Sequence, residues 1–419
     1  MKKLLSICSL LLLLLCSFSG CSRPIRGVGT AAGRLSKLEP ADSIPEDFMK
    51  GYHDFSCNLF RRMYQKDENI FLSPASMYIA LGMTSNGARG GTLSQISAAM
   101  GTSDADKINA GCKDLQSILT GNPKKYYKLA NAIWLDESLR HIFRQDFLDR
   151  NEEYFGALIA AVPFNDALIP AINKWAEKST DGMVKNVLKP PLDPDALMFL
   201  SNSLLFDGKW EMKFKKGDTK EGVFHGAKGD INLPMMHRID KDNATLYEDD
   251  RMQATLLDYQ DKRTAMLIVL PKGSLDELMA GMTGDTISGW INNISACGTL
   301  NLTLPRFSLA YKSEPIKALK SMGITDAFDP VLADFGRIAQ VEKLTGKVYI
   351  DNVIHQTALE VDESGTRAAA VAFFHFLNKG AGPEEHYMVV DRPFFCAIID
   401  KPTGAVIFEG AVCNPVPIK

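Results

Sequence analysis

The chain has 419 residues, 46% hydrophobic and 23% charged, with 47 Lys+Arg against 50 Asp+Glu for a formal net charge of −3. That composition supports a large buried core and excludes a disordered chain, and it offers neither the basic excess of a nucleic-acid surface nor an acidic tail. At roughly 150 residues per domain the length allows two or three domains, or one domain organised by a large mixed sheet.

At the N-terminus, Lys2 and Lys3 precede a nearly all-apolar run over residues 4–15. A bilayer-spanning helix needs about 20 such residues, so this shorter run predicts a secretion signal. Phe18-Ser19-Gly20-Cys21 is similar to the box at which bacterial lipoproteins are cut and lipidated, with Phe18 where Leu is usual. It implies a signal peptide over residues 1–20, a lipidated Cys21, and export to the bacterial envelope, on the outer membrane or cell surface; Ser22 argues against retention at the inner membrane. The alternative is an ordinary signal peptide with an incidental cysteine. Residues 21–45, with Gly27, Gly29, Gly33, Pro24, Pro40 and Pro45 and no apolar periodicity, read as a tether spanning about 25 to 30 Å. Of eight cysteines, Cys57, Cys112, Cys297, Cys396 and Cys413 remain beyond Cys21, an odd number at irregular spacings with no Cys-x-x-Cys. Buried free thiols are expected, not a disulfide framework or a zinc site.

From Glu46 the chain is globular to its end, expected as one domain over 46–419 with helices and strands mixed. Ser73-Pro74 predicts a helix N-cap with Pro at the first helical position. Gly87 ends that helix, and Thr92 with Gln95 suggests a capping box for the next. Residues 172–188 read as a further helix. Residues 265–270, stopped by Pro271, predict a buried strand, and residues 353–361 predict another from partial alternation. Residues 394–399 and 406–412 flank Lys401-Pro402-Thr403-Gly404, a hairpin apolar on both faces and therefore covered on both.

No nucleophile elbow, His-Glu-x-x-His or phosphate-binding loop occurs, so nothing argues for an enzyme, and no metal or cofactor is expected. Glu384-Glu385-His386 could suggest a metal or acid/base cluster. Flanking Gly380, Gly382 and Pro383 favour a solvated loop instead.

The informative segment is Glu360-Val361-Asp362-Glu363-Ser364-Gly365-Thr366-Arg367-Ala368-Ala369-Ala370-Val371-Ala372. By composition it could be an Ala-rich helix. It also resembles the reactive-centre loop hinge of serpins, the serine protease inhibitor family. Further blocks match in family order from about residue 47 to 417. They are Asn69-Ile70-Phe71-Leu72-Ser73-Pro74-Ala75-Ser76, Asn202-Ser203-Leu204-Leu205-Phe206-Asp207-Gly208-Lys209-Trp210, Leu304-Pro305-Arg306-Phe307, Met322-Gly323-Ile324, Ala327-Phe328 and Phe408-Glu409-Gly410-Ala411-Val412-Cys413-Asn414-Pro415. The resemblance implies an α+β fold of three β-sheets and about nine helices with an exposed reactive-centre loop. It also implies an inhibitor whose cleaved loop enters the central sheet as an extra strand.

Inserted residues alternate between the two faces of a sheet. Counted from Thr366, the inward set is Thr366, Ala368, Ala370 and Ala372, all small and uncharged, while Arg367 falls outward; with Glu363, Gly365 and Ala369 these form the hinge. Family spacing from Gly365 places the scissile bond at Lys379-Gly380, which suits trypsin-like endopeptidases. Leu377, Phe376, Phe374 and Phe373 offer bonds to elastase-, chymotrypsin- or papain-like enzymes. The resemblance also assigns Ser73, Ser76, Asn202 and His355 to a "shutter" beneath the sheet, and Trp210, Arg306 and Glu363 to a "breach" at its top. An exposed Arg306–Glu363 pair would contribute at most about 1 kcal/mol. Endopeptidases are the expected partners of a monomer that binds no nucleic acid and meets the membrane through its lipid alone. The rivals are a non-inhibitory serpin that carries a ligand and a hydrolase with an unrecognised site.

Overall fold

The computed structural model describes residues 43–122, 124–241, 244–344, 346–366 and 384–418. The first elements are α1 (Glu46–Met63), β1 (Ile70–Leu72), α2 (Pro74–Ser85), α3 (Gly90–Ala99), α4 (Ala105–Thr120), β2 (Tyr127–Asp136), α5 (Gln145–Phe155), β3 (Leu158–Val162), α6 (Leu168–Ser179), β4 (Met198–Phe206) and β5 (Gly208–Lys209). The middle of the chain supplies β6 (Lys220–Gly226), β7 (Gly229–Asp240), β8 (Thr245–Glu248), β9 (Met252–Asp258), β10 (Thr264–Pro271), α7 (Leu275–Ala280), α8 (Thr286–Asn293) and β11 (Ser295–Ala296). The remainder is β12 (Thr299–Pro305), β13 (Phe307–Ser313), α9 (Ile316–Ser321), β14 (His355–Val361), β15 (Gly365–Thr366), β16 (Glu385–Val389), β17 (Phe394–Asp400) and β18 (Ala405–Val412). The class is α+β, as expected, with nine α-helices among the described residues.

A seven-stranded sheet runs β1-β18-β17-β10-β9-β8-β11, and a four-stranded sheet runs β16-β12-β7-β6. In place of the single third sheet expected, three separate small sheets occur among the described residues: β3-β2-β4, β13-β14 and the short pair β15-β5. Among the described residues no ladder joins β4 to β14. A narrow cleft lies between them, lined by Leu204, Phe206, Thr357, Leu359, Thr366 and Ile398.

The core follows from local patterning. Every residue of β10, β17 and β18 is buried, matching the apolar runs expected to be covered on both faces. β14 alternates buried and half-buried positions along its length and starts at His355 rather than at 353. Helix α2 is apolar on all sides and packs between strands on both flanks, touching β4 and β18. Helix α1 carries Glu46 and Asp47 in its first turn and Arg61 and Arg62 in its last, which complements its dipole. Just before it Ile44 is already buried, so the tether's last residues pack onto the domain. No described helix is long and apolar enough to cross a membrane. The signal, Cys21 and the rest of the tether lie outside the described residues.

Four sequence expectations need correction. Thr92 is not a cap: α3 starts at Gly90, and the Thr92 hydroxyl accepts from Asp334 N at 2.9 Å while Gln95 Oε1 accepts from Thr325 N and Asp326 N. The helix expected over 172–188 is α6, which starts before Pro170 and ends at Ser179. Its end is set by Thr180, whose hydroxyl accepts from Val184 N at 3.0 Å, and by Gly182 at φ +83°. Glu385 and His386 belong to edge strand β16, paired parallel to β12, and no metal-binding cluster exists among the described residues. Of the five free thiols, Cys57, Cys112, Cys396 and Cys413 are buried, but Cys297 is half-exposed.

Candidate functional site at the divided sheet

The base of the cleft is polar. Ser73 caps α2 by accepting from Ser76 N at 3.1 Å, and its hydroxyl donates to the Ile407 carbonyl at 2.9 Å. Its backbone N–H donates to His355 Nε2 at 3.0 Å, which ties β14 to the helix start. That acceptor role requires neutral imidazole, and burial pushes His355 down to about 4. One turn along, the Ser76 hydroxyl donates to Asn202 Oδ1 on β4. The four residues assigned to the shutter therefore meet at one helical turn. The strands are not bonded to each other there; each is bonded to α2.

Two further residues, which the sequence reading missed, complete this network. Asn202 Nδ2 donates to Asn131 Oδ1 at 2.7 Å, and Asn131 Nδ2 donates to Gln116 Oε1 at 2.9 Å and to the Phe155 carbonyl at 2.7 Å. Asn131 and Gln116 are fully buried, so each needs these partners. Removing the Ser73 hydroxyl (Ser73→Ala) leaves the Ile407 carbonyl and the first turn of α2 unpaired. It is expected to lower unfolding stability by about 2 kcal/mol, read from a urea denaturation midpoint.

At the top of the cleft, Trp210 is fully buried and stacks on Tyr259 with centroids 4.5 Å apart and planes 18° from parallel. Its indole N–H donates to the Asp362 carbonyl at 2.9 Å and its backbone N–H to the Ser364 carbonyl at 3.0 Å. Arg306 Nη1 lies 3.5 Å from Glu363 Oε1, which also accepts from the Thr219 hydroxyl at 2.9 Å. The pair is not a surface pair: the Glu363 side chain is only 5% exposed. Losing Arg306 would therefore strand a buried carboxylate, a heavier cost than for a surface pair.

The chain then reverses: Asp362 N donates to the Gly365 carbonyl at 3.0 Å. Gly365 and Thr366 pair antiparallel with Lys209 and Gly208. A Cβ at Gly365 would sit 2.2 Å from the Gly208 carbonyl oxygen, so only glycine allows this approach. Thr366 is 3% exposed and faces inward, as the alternation from the hinge requires. Ala368, Ala369, Ala370, Ala372, Lys379 and Gly380 lie outside the described residues.

Comparison with known proteins fits this arrangement. The family profile described as serpin (serine protease inhibitor) matches residues 50–415. Glia-derived nexin of Rattus norvegicus is 30% identical over 363 residues, which covers 84% of this chain and 89% of that protein.

The chain belongs to the serpin family.

Among solved structures, the native state of the thermophilic serpin tengpin is similar with a TM-score of 0.80 and 29% identity, covering 91% of this chain and 98% of that one. Thyroxine-binding globulin in complex with thyroxine is similar with a TM-score of 0.76 and 27% identity, covering 88% and 99%. The Ser73–Ser76–Asn202–His355 cluster links the start of α2 to β4 and β14, and Trp210, Glu363 and Arg306 gather around the short β15–β5 pair. Sequence could not have singled out Tyr259, Thr219, Asn131 or Gln116, because a lone sequence does not separate a buried polar residue from a surface one.

Proposed function

We propose that this serpin is a suicide-substrate inhibitor of serine endopeptidases, trypsin-like enzymes first, with elastase-, chymotrypsin- and papain-like enzymes as further targets. The observation that supports it most directly is the inward position of Thr366 at the head of a small, uncharged set continued by Ala368, Ala370 and Ala372. A side chain passing between two strands meets little steric or desolvation barrier when it is small and neutral. Lys379 is the bait. The protease nucleophile attacks the Lys379 carbonyl carbon, the Lys379-Gly380 bond breaks, and the new amine of Gly380 leaves with its proton. Lys379 remains as an acyl ester on the protease. Insertion of the freed segment after Gly365 then carries the protease away from its docking position, and deacylation stalls. The serpin itself turns over nothing in this scheme and requires no cofactor. We further propose that Cys21 carries the lipid that holds the protein at the bacterial envelope.

The likeness to thyroxine-binding globulin keeps a second reading in view, a serpin that carries a ligand. One experiment separates the two. The protein lacking residues 1–21 is mixed with trypsin and run on a denaturing gel, with intact mass spectrometry of the products. A serpin–protease band surviving denaturant is expected, together with a released fragment of 419 − 379 = 40 residues. Complete cleavage with no such band, repeated with elastase-, chymotrypsin- and papain-like enzymes, would leave the carrier reading.

A further inference from the structure

Tyr259 lies at the end of the buried stack beneath the hinge. Its hydroxyl is 2.7 Å from Thr366 Oγ1, and both residues are buried. The ring cannot swing away. Trp210 stacks on one side, and the Phe206 ring meets it edge-on at 4.7 Å. The backbone N–H of Tyr259 is held by the Thr264 carbonyl at 3.0 Å. The phenol is thus a fixed group aimed at one point on the hinge. Burial holds it well above its usual range, so it stays protonated and available to donate.

The point it meets has a particular weight. A strand has a side-chain period of two, so a slip of one residue exchanges its faces. On insertion with Thr366 inward, alternation would place Ala368, Ala370 and Ala372 inward after it. With a one-residue slip, Arg367 would be driven into the core instead. The backbone turn gives partial guidance: the Asp362 carboxylate accepts from Ser364 N at 2.8 Å and from its hydroxyl at 3.0 Å, and the Trp210 indole grips the Asp362 carbonyl. At Gly365 and Thr366 the backbone pairs with Lys209 and Gly208, which aligns the main chain but makes no demand on the Thr366 side chain. At Thr366 the side-chain partner is the Tyr259 hydroxyl, a fixed group with room for a short hydroxyl side chain.

We infer that Tyr259 is a positioning residue that seats Thr366 in the sheet of the uncleaved chain and sets the register in which the loop enters. The effect on trapping rests on the inhibitor reading above; the seating itself does not.

The test is native-state hydrogen exchange of the peptide containing Gly365 and Thr366 in the uncleaved protein. The variants are Tyr259→Phe, Thr366→Val and the double variant. Tyr127→Phe serves as a control, since it loses a buried hydroxyl bonded to Thr264 rather than to the hinge. Loss of one buried neutral hydrogen bond is expected to speed exchange at Gly365 and Thr366 about fivefold in each single variant, with the double no worse than either single. The control leaves that peptide unchanged. Against a protease, Tyr259→Phe raises the ratio of cleaved to trapped serpin by a similar factor without changing the rate of attack on the loop. Unchanged exchange in Tyr259→Phe, or additive effects in the double variant, overturns the inference even if trapping persists. If the wild type traps no protease but exchange responds as described, the inhibitor reading falls and the seating stands. Thr366→Val leaves the aromatic stack intact and carries the test should Tyr259→Phe fold poorly.

Discussion

Under the proposed inhibitor mechanism, replacing Thr366 with arginine is expected to convert the protein from a trap into a substrate. Thr366 is 3% exposed and its hydroxyl is spent on Tyr259. A guanidinium there must either enter the core unpaired or hold the hinge out of the sheet. The neighbouring carboxylate, Glu363, is already engaged by Arg306 and Thr219. An unpaired buried charge costs several kcal/mol, and each 1.4 kcal/mol slows a step about tenfold. Insertion would then lose its race with hydrolysis of the acyl-enzyme. The denaturant-resistant band should fall at least about tenfold in yield while the loop is cleaved at the wild-type rate, because the bait and its flanks are untouched. Thr366→Ser, which keeps the hydroxyl and the size, should trap normally. A full-strength complex from Thr366→Arg would show that this residue does not enter the sheet during trapping.

The second large effect concerns Glu409 on β18. Its side chain is completely buried. One carboxylate oxygen accepts from the Ser56 hydroxyl at 2.9 Å, and the other has no partner among the described residues. The titratable neighbours from α1 are Tyr52 and Cys57, neither a cation. Across the sheet it faces Leu72 of β1 and Ala397 of β17. No ion pair to Glu409 exists among the described residues, and burial pushes its carboxyl up to about 8.

A raised folded-state value means that the native protein holds a proton which the unfolded chain gives up. Stability is therefore fullest below the ordinary glutamate range near 4.5. It falls as pH rises and levels off only above about 8. Glu409→Gln, which cannot ionise, should gain about 4 kcal/mol over the wild type at pH 8 and nothing near pH 4. Glu409→Met provides a second variant that leaves no polar atom beneath α1. The check is a set of denaturation midpoints from pH 4 to 9.

His355 shapes the other side of the curve. Its folded value, about 4, is depressed, so the native state excludes a proton that the unfolded chain binds below about 6.5, and stability falls as pH drops through that range. Together the two groups predict a wild-type plateau between about 4.5 and 6.5 and a decline above it. In Glu409→Gln the decline disappears while the acid limb stays. Equal midpoints for wild type and Glu409→Gln at pH 8 would mean that the carboxyl finds a partner or water when ionised.

Much of this architecture can be read from residues 265–270 and the two runs of the last hairpin, because a strand covered on both faces needs an unbroken apolar run. Ser73-Pro74 is equally plain, since cap and first-turn proline act locally. Helix α6 differs at both ends from the span its pattern predicts. Pro170 sits harmlessly in its first turn, where the missing N–H has no partner to lose, and its C-terminus is set by a Thr180 side chain closing back on Val184. Strand β16 was concealed because it is an edge: only Met388 is buried, so Glu385, His386 and Tyr387 carry the composition of a loop. The site divides the same way. The hinge and shutter residues came from resemblance to a family. The groups that tie them to the rest of the molecule, Tyr259, Thr219, Asn131 and Gln116, are partners chosen by tertiary contact across long sequence separations. Glu409 stood inside a recognised block, but its isolation from any cation is visible only once the helix above it is in place.

The buried cysteines have a practical consequence. Cys57, Cys112, Cys396 and Cys413 are spread over α1, α4, β17 and the end of β18, and burial drives every one of these thiols above its ordinary range. A thiol reacts as the thiolate, so an alkylating reagent at neutral pH finds these four inert until the surrounding core parts. Each is a chemical clock for its own neighbourhood. Cys112 packs against α2, where an alanine at Gly82 would meet its sulfur at 3.0 Å, and so keeps time for the helix to which both edges of the divided sheet are tied. No engineered label is needed to watch the molecule open.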